Sequence, residues 1–256
     1  MDNRGSIRAN PAPADAVLPQ AGTGFLGVVM LDTRFPRPPG DVGHPQTFPW
    51  PVRYRVVQGA WPAEIVTSAQ ALRSSTLVPA FIDAMRELQA QGARALTTSC
   101  GFLVLLQQEL QAAVSVPLVS SSLLALPQLL QQDEQVGVLT ISAARLGPDY
   151  LLAAGVPPQR LHDVLVEGVD PAGEFARCIL GNEREMDLAL AGRDVVQAAL
   201  RLKERAPQLR NLVLECTNMP PYAQALRSAT GWQLHSLREA QPLLQCFATE
   251  TTRAAG

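Results

Sequence analysis

Short, largely apolar runs that alternate with helix-period segments constrain this chain more than any other feature of its sequence. Phe25–Leu31 (FLGVVML), Val136–Ile141 (VGVLTI) and the start of Asn211–Glu215 (NLVLE) lack the polar alternation of a half-exposed strand. Such runs belong in strands covered on both faces, as in a parallel sheet. Between them lie stretches with apolar residues at helical spacing, such as Phe81, Ile82, Met85 and Leu88 within 77–91, where Ser75 or Thr76 can cap and Gly92 stops. Further strands are expected at Arg53–Gln58, Arg94–Ser99 and Val116–Ser120, with weaker ones at Asp163–Val166 and 233–236. Further helices are expected over 102–113, 122–132, 143–154, 171–180 and 185–205, from 217 to about 229, and from Glu239 onward. This alternation implies an α/β fold with mainly parallel sheets flanked by helices.

The ends and one loop break the pattern. Residues 1–22 carry Ala, Pro, Gly and Asn without periodicity and read as a flexible tail. Segment 32–52 holds six prolines, which exclude helix and sheet interior, so a long irregular loop is expected there, of the kind used as a lid or binding loop.

Composition narrows the partners. With 21 Lys+Arg against 23 Asp+Glu and no basic run, the chain lacks an electrostatic footprint for nucleic acid. No apolar stretch reaches the roughly 20 residues that span a bilayer, and the first residues lack the apolar core of a secretory leader. Four cysteines in 256 residues are too few for a disulfide scaffold. A cytoplasmic protein with reduced thiols, acting on a small molecule either alone or as a homo-oligomer, is the resulting expectation. The histidines, His44, His162 and His235, are scattered without metal-ligand spacing, and no glycine-rich phosphate loop opens a helix, so no metal site or nucleotide cofactor is expected.

Two cysteines stand out by context. Cys100 in ALTTSCGFLVLLQQEL and Cys216 in NLVLECTNMPPYAQAL each end an apolar strand and open a helix, nearly half the chain apart. Ligands of open parallel sheets bind outside the carboxyl ends of the strands. A thiol there also meets a helix N-terminus, which can lower its pKa. Cys178 and Cys246, inside apolar helical stretches, read as core residues. Two thiols facing one carbon can move a proton off one face and onto the other. The developing carbanion needs hydrogen-bond donors, for which Ser99, Gly101, Thr217, Asn218 and the strand-end Thr140 are placed nearby, as are Thr97, Thr98 and Ser142. Asp32 and Thr33, ending the first strand, are further candidates for substrate contact. Glu215 is expected to point to the opposite face by strand alternation and to be structural.

At these residues the chain resembles the cofactor-independent aspartate/glutamate racemase superfamily, which includes hydantoin racemases, arylmalonate decarboxylases and maleate isomerases. LVLECTNMPPY is similar to the strand bearing the second family cysteine, RALTTSC to that bearing the first, and LDTRF and VGVLTIS to two further strand ends. The resemblance covers most of 25–237. It implies two pseudo-symmetric α/β lobes with the active site between them: 23–121 plus 230–256 carrying Cys100, and 122–229 carrying Cys216. It also implies that Cys100 and Cys216 are the acid/base pair of a racemase or epimerase acting on an amino acid or derivative that bears a carboxylate or amide, with no cofactor. Gly101-Phe102 stands where the family's glutamate and aspartate enzymes have Asn-Thr, and Asn218 where its glutamate enzymes have His, which argues against glutamate as substrate. Family decarboxylases keep only the second cysteine, so the pair favours racemisation over the alternatives of decarboxylation or isomerisation of a dicarboxylic acid. A non-enzymatic alternative is a redox or ligand sensor built on the same thiols.

Overall fold

The computed structural model describes residues 7–8 and 24–251. Two four-stranded sheets dominate it. The first contains β1 (Phe25–Leu31), β2 (Val52–Val57), β3 (Ala93–Thr98) and β4 (Leu118–Val119). The second contains β5 (Val136–Thr140), β6 (Val164–Gly168), β7 (Asn211–Leu214) and β8 (Gln233–His235). Every pairing within these sheets is parallel. The spatial orders are β2-β1-β3-β4 and β6-β5-β7-β8, so both halves wind in one and the same topology, second strand, first, third, fourth. In such an order the connections diverge on either side of the first and third strands, leaving a crevice at their carboxyl ends. Cys100 lies two residues beyond β3 and Cys216 two residues beyond β7, which are equivalent places in the two halves.

The apolar runs behave as their composition demands, for β1 and β5 are buried at every residue. One face of the first sheet, with Val29 and Leu96, packs on Phe81, Met85 and Leu88 of the helix Val78–Ala90. The other face, with Leu26, Val28 and Ala95, packs on Leu243 and Phe247 of the helix Gln241–Thr251. In the second half the helix Leu188–Arg205 buries Val195, Ala199 and Leu202, and the Asp187 carboxylate caps it by accepting from the amides of Ala189 and Leu190.

Several boundaries differ from the sequence reading. Strand β8 pairs with β7, so the second half extends past residue 230 to His235. Only from Leu237 does the chain return to the first sheet. The helix expected over 143–154 is confined to Pro148–Ala153, because Gly147 and Pro148 set its first turn. Glu185–Met186 are not helical but pair antiparallel with Ile7–Arg8. The rest of the tail expected at 1–22 lies outside the described residues. Segment 58–77, without strong periodicity, forms two short helices at Pro62–Ile65 and Ala69–Arg73. No described helix is long and apolar enough to cross a membrane.

Candidate active site

The carboxyl ends of the two sheets converge on a pocket with about 340 Å³ of space, including its open mouth. Eight of the residues singled out from the sequence line it: Cys100, Cys216, Thr33, Ser99, Gly101, Phe102, Thr217 and Asn218. Apolar side chains extend the wall, namely Leu31, Phe35, Pro62, Val66, Ile141 and Ile179, and Glu215 completes it. Each half thus contributes one thiol, and both cysteines are buried.

Hydrogen bonds between the halves frame this pocket. The Thr217 hydroxyl donates to the Ser99 carbonyl (2.7 Å), and the Val42 amide to the Thr217 carbonyl (3.4 Å). On the rim, Asn182 has φ of 52° and closes the helix Glu174–Gly181. Its side-chain amide accepts from the Arg34 amide (2.6 Å) and donates to the Asp32 carbonyl (3.0 Å), clamping one half to the other. The 66–67 backbone is held from the second half, where Tyr150 donates its hydroxyl to the Thr67 carbonyl (2.7 Å) and Arg145 donates to the Val66 carbonyl.

The environments of the two sulfurs differ. Cys216 donates to the Asn218 side-chain oxygen (3.5 Å), and the Asn218 amide nitrogen donates to Asp41 (2.5 Å). Arg37 pairs with the other Asp41 oxygen (2.7 Å) and donates to Thr33 (2.8 Å). The proline-rich loop therefore reaches into the protein and supports the second thiol, rather than lying over the surface as a lid. Burial pushes both thiols well above the ordinary cysteine range, and the charge of Glu215 adds to this. Backbone N–H groups of Phe102 and Leu103 at Cys100, and of Asn218 at Cys216, act in the opposite direction. The activation by a helix N-terminus expected from the sequence is thus outweighed by desolvation. The helical segments beyond the two cysteines begin as short 3₁₀ turns (Gly101–Leu106, Pro220–Tyr222) with little aligned dipole.

Some expected contacts lie elsewhere. Asp32 does not line the pocket, since its carboxylate accepts from the Gly59 amide (3.0 Å) and fixes a turn. Thr140, also outside the lining, donates its hydroxyl to a Glu215 oxygen (2.7 Å). Thr97 and Thr98 bond to the carbonyls of Val119 and Ser120 and tie β3 to its neighbour. Trp50 stacks on Phe247 (4.8 Å), whereas Trp61 is 48% exposed. Cys178 is core, as expected, and Cys246 is half-buried. Among the described residues no group of His, Cys, Asp or Glu is placed to hold a metal ion.

Glu215 corrects the sequence reading most. It lines the pocket and is 1% exposed, because β7 ends at Leu214 and strand alternation no longer dictates its direction. Burial raises its carboxyl from 4.5 to about 7, against the hydrogen bond from Thr140. Between those values the folded chain holds a proton that the unfolded chain releases, so folding stability falls as pH rises. From pH 5 to pH 8 this amounts to about 2 kcal/mol. Urea titrations across that range should show the stability difference between wild type and Glu215→Gln moving by this amount in favour of the variant. A pH-independent difference would mean that Glu215 titrates normally.

A family model described as Asp/Glu/Hydantoin racemase matches residues 55–240. The chain belongs to the Asp/Glu/hydantoin racemase family. Among curated relatives of this racemase-family protein, a dimethylsulfoniopropionate lyase of Durusdinium sp. clade D is 33% identical over 213 residues, covering 80% of this chain and 69% of the relative. Dimethylsulfoniopropionate lyase 3 of Emiliania huxleyi is 33% identical over 234 residues, covering 86% of this chain but 58% of the relative. In fold, the protein is similar to glutamate racemase RacE1 of Bacillus anthracis (TM-score 0.54, 17% identity, 90% of this chain and 82% of that one). Allantoin racemase of Pseudomonas fluorescens is comparable (TM-score 0.53, 18% identity, 90% and 92%).

Proposed function

We propose that this protein is an enzyme that removes a proton from the carbon next to a carboxylate, and that it completes the reaction as a lyase on dimethylsulfoniopropionate. The observation that carries the proposal is the meeting of two thiols, one from each sheet, on one largely apolar pocket. One sulfur, as thiolate, takes the α-proton. The electron pair of that C–H bond forms the new C=C bond, and the β C–S bond breaks with its electrons leaving on sulfur. The products are acrylate and dimethyl sulfide, and the thiol returns its proton to solvent. The lyase names carried by relatives at 33% identity support this outcome over others open to the same carbanion.

Racemisation or epimerisation of an amino acid or derivative is the second reading. Retention of both thiols at equivalent sites favours it, because inversion needs a donor opposite the base, whereas elimination needs only the base. The two separate cleanly. With dimethylsulfoniopropionate, the lyase releases dimethyl sulfide into the headspace and acrylate into solution. With a chiral amino acid or hydantoin in deuterium oxide, a racemase loses optical rotation while gaining α-deuterium. The absence of both product gas and α-deuteration across these substrates would overturn the proton-abstraction proposal itself.

A further inference from the structure

Glu215 places an unpartnered carboxyl oxygen in a pocket whose other lining side chains are uncharged and mostly apolar. One of its carboxyl oxygens takes the Thr140 hydroxyl, while Oε1 has no hydrogen-bond partner. A buried carboxylate oxygen left unmatched is costly, so a site that keeps one calls for a complementary group. The carboxyl is also held in place. A Cβ on Gly101 would come within 2.3 Å of both Oε1 and the carbonyl oxygen of Glu215, so only glycine after Cys100 leaves room for it. No Lys or Arg lines the pocket, and Arg37 behind it is already paired with Asp41. Where Glu215 is ionised, above the value of about 7 to which burial lifts it, the cation it lacks must therefore come from the ligand.

The walls indicate what kind of cation. A primary ammonium has three N–H donors to satisfy, whereas a fully alkylated sulfonium or ammonium has none and gains from apolar and aromatic surface beside a fixed negative charge. Phe35, Phe102, Ile141 and Ile179 provide that surface. We propose that Glu215 is the specificity-determining residue for a peralkylated onium group, sulfonium or quaternary ammonium, on a small carboxylate ligand. This rests on the proposed use of the pocket for such a carboxylate, but not on the elimination step.

The test compares two probes of one shape, 3-(trimethylammonio)propionate and 4,4-dimethylpentanoate, in which a neutral carbon replaces the cationic nitrogen, by calorimetric titration at pH 8. The wild type should bind the cationic probe about tenfold tighter than the isostere. Glu215→Gln, shown to be folded by its thermal transition, should bind both about equally, and Glu215→Asp should keep part of the preference. Equal binding by the wild type, or an undiminished preference in Glu215→Gln, overturns the assignment. Cation preference without dimethyl sulfide release would sink the lyase reading and leave this one standing. Release with a preference that survives in Glu215→Gln would do the reverse.

Discussion

At least one of Cys216→Ser and Cys100→Ser, the variant that loses the base, is expected to lower turnover by about a thousandfold or more. A serine hydroxyl is almost the same shape as a thiol but is a far weaker acid, so the fold is kept while the proton carrier is lost. Both sulfurs lie on the pocket, buried, and both are shifted upward by desolvation. The thiolate is therefore formed only against a penalty, and for an alcohol in the same place that penalty would be far larger. Steady-state rates on dimethylsulfoniopropionate, with α-hydrogen exchange in deuterium oxide alongside, provide the measurement. Wild-type rates in both variants would remove thiol chemistry altogether. Loss in one variant alone would identify that sulfur as the base and reduce the other to a binding group.

Asp41→Ala is expected to destabilise the protein by about 3–5 kcal/mol. This carboxylate is 1% exposed and accepts from Arg37 (2.7 Å), the Gly43 amide (2.7 Å) and the Asn218 side chain (2.5 Å). Truncation strands a guanidinium that is itself only 12% exposed, along with a buried amide. Breaking a buried pair from one side costs far more than the pair is worth, because a lone charge stays behind. An Arg37→Met/Asp41→Leu double replacement should recover a large part of the loss, and urea unfolding of it beside Arg37→Met and Asp41→Leu alone closes the cycle. A cost below about 1 kcal/mol for Asp41→Ala would show that Arg37 finds water instead. The same truncation frees Asn218 to rotate, which withdraws the acceptor of the Cys216 thiol.

Asp41 also marks where sequence reasoning stops. The parallel strands and both strand-end cysteines were legible because each rests on local pattern, an apolar run succeeded by a change of period. Thr33, Ser99, Phe102 and Asn218 came with them as neighbours of those strand ends. The importance of Asp41 depends on Asn218, 177 residues away, and no periodicity encodes that contact. Six prolines announced an irregular loop but said nothing of its burial. Glu215 carried a visible signal, an acid following the apolar run Leu212–Leu214, yet the alternation rule misdirected it because the strand stops one residue earlier. The helix at 148–153 lost its expected first turn to Gly147 and Pro148, whose local geometry outweighs the apolar spacing.

The repeated strand order has one more consequence. Two identical halves joined about a dyad would present the same residue before each cysteine and could not tell one end of a ligand from the other. Covalent continuity has let the two positions diverge into Ser99, a neutral hydroxyl that accepts from the Leu31 amide, and Glu215, an acid. The pocket is polarised as a result, so a molecule with unlike ends meets unlike walls and has a preferred direction of entry.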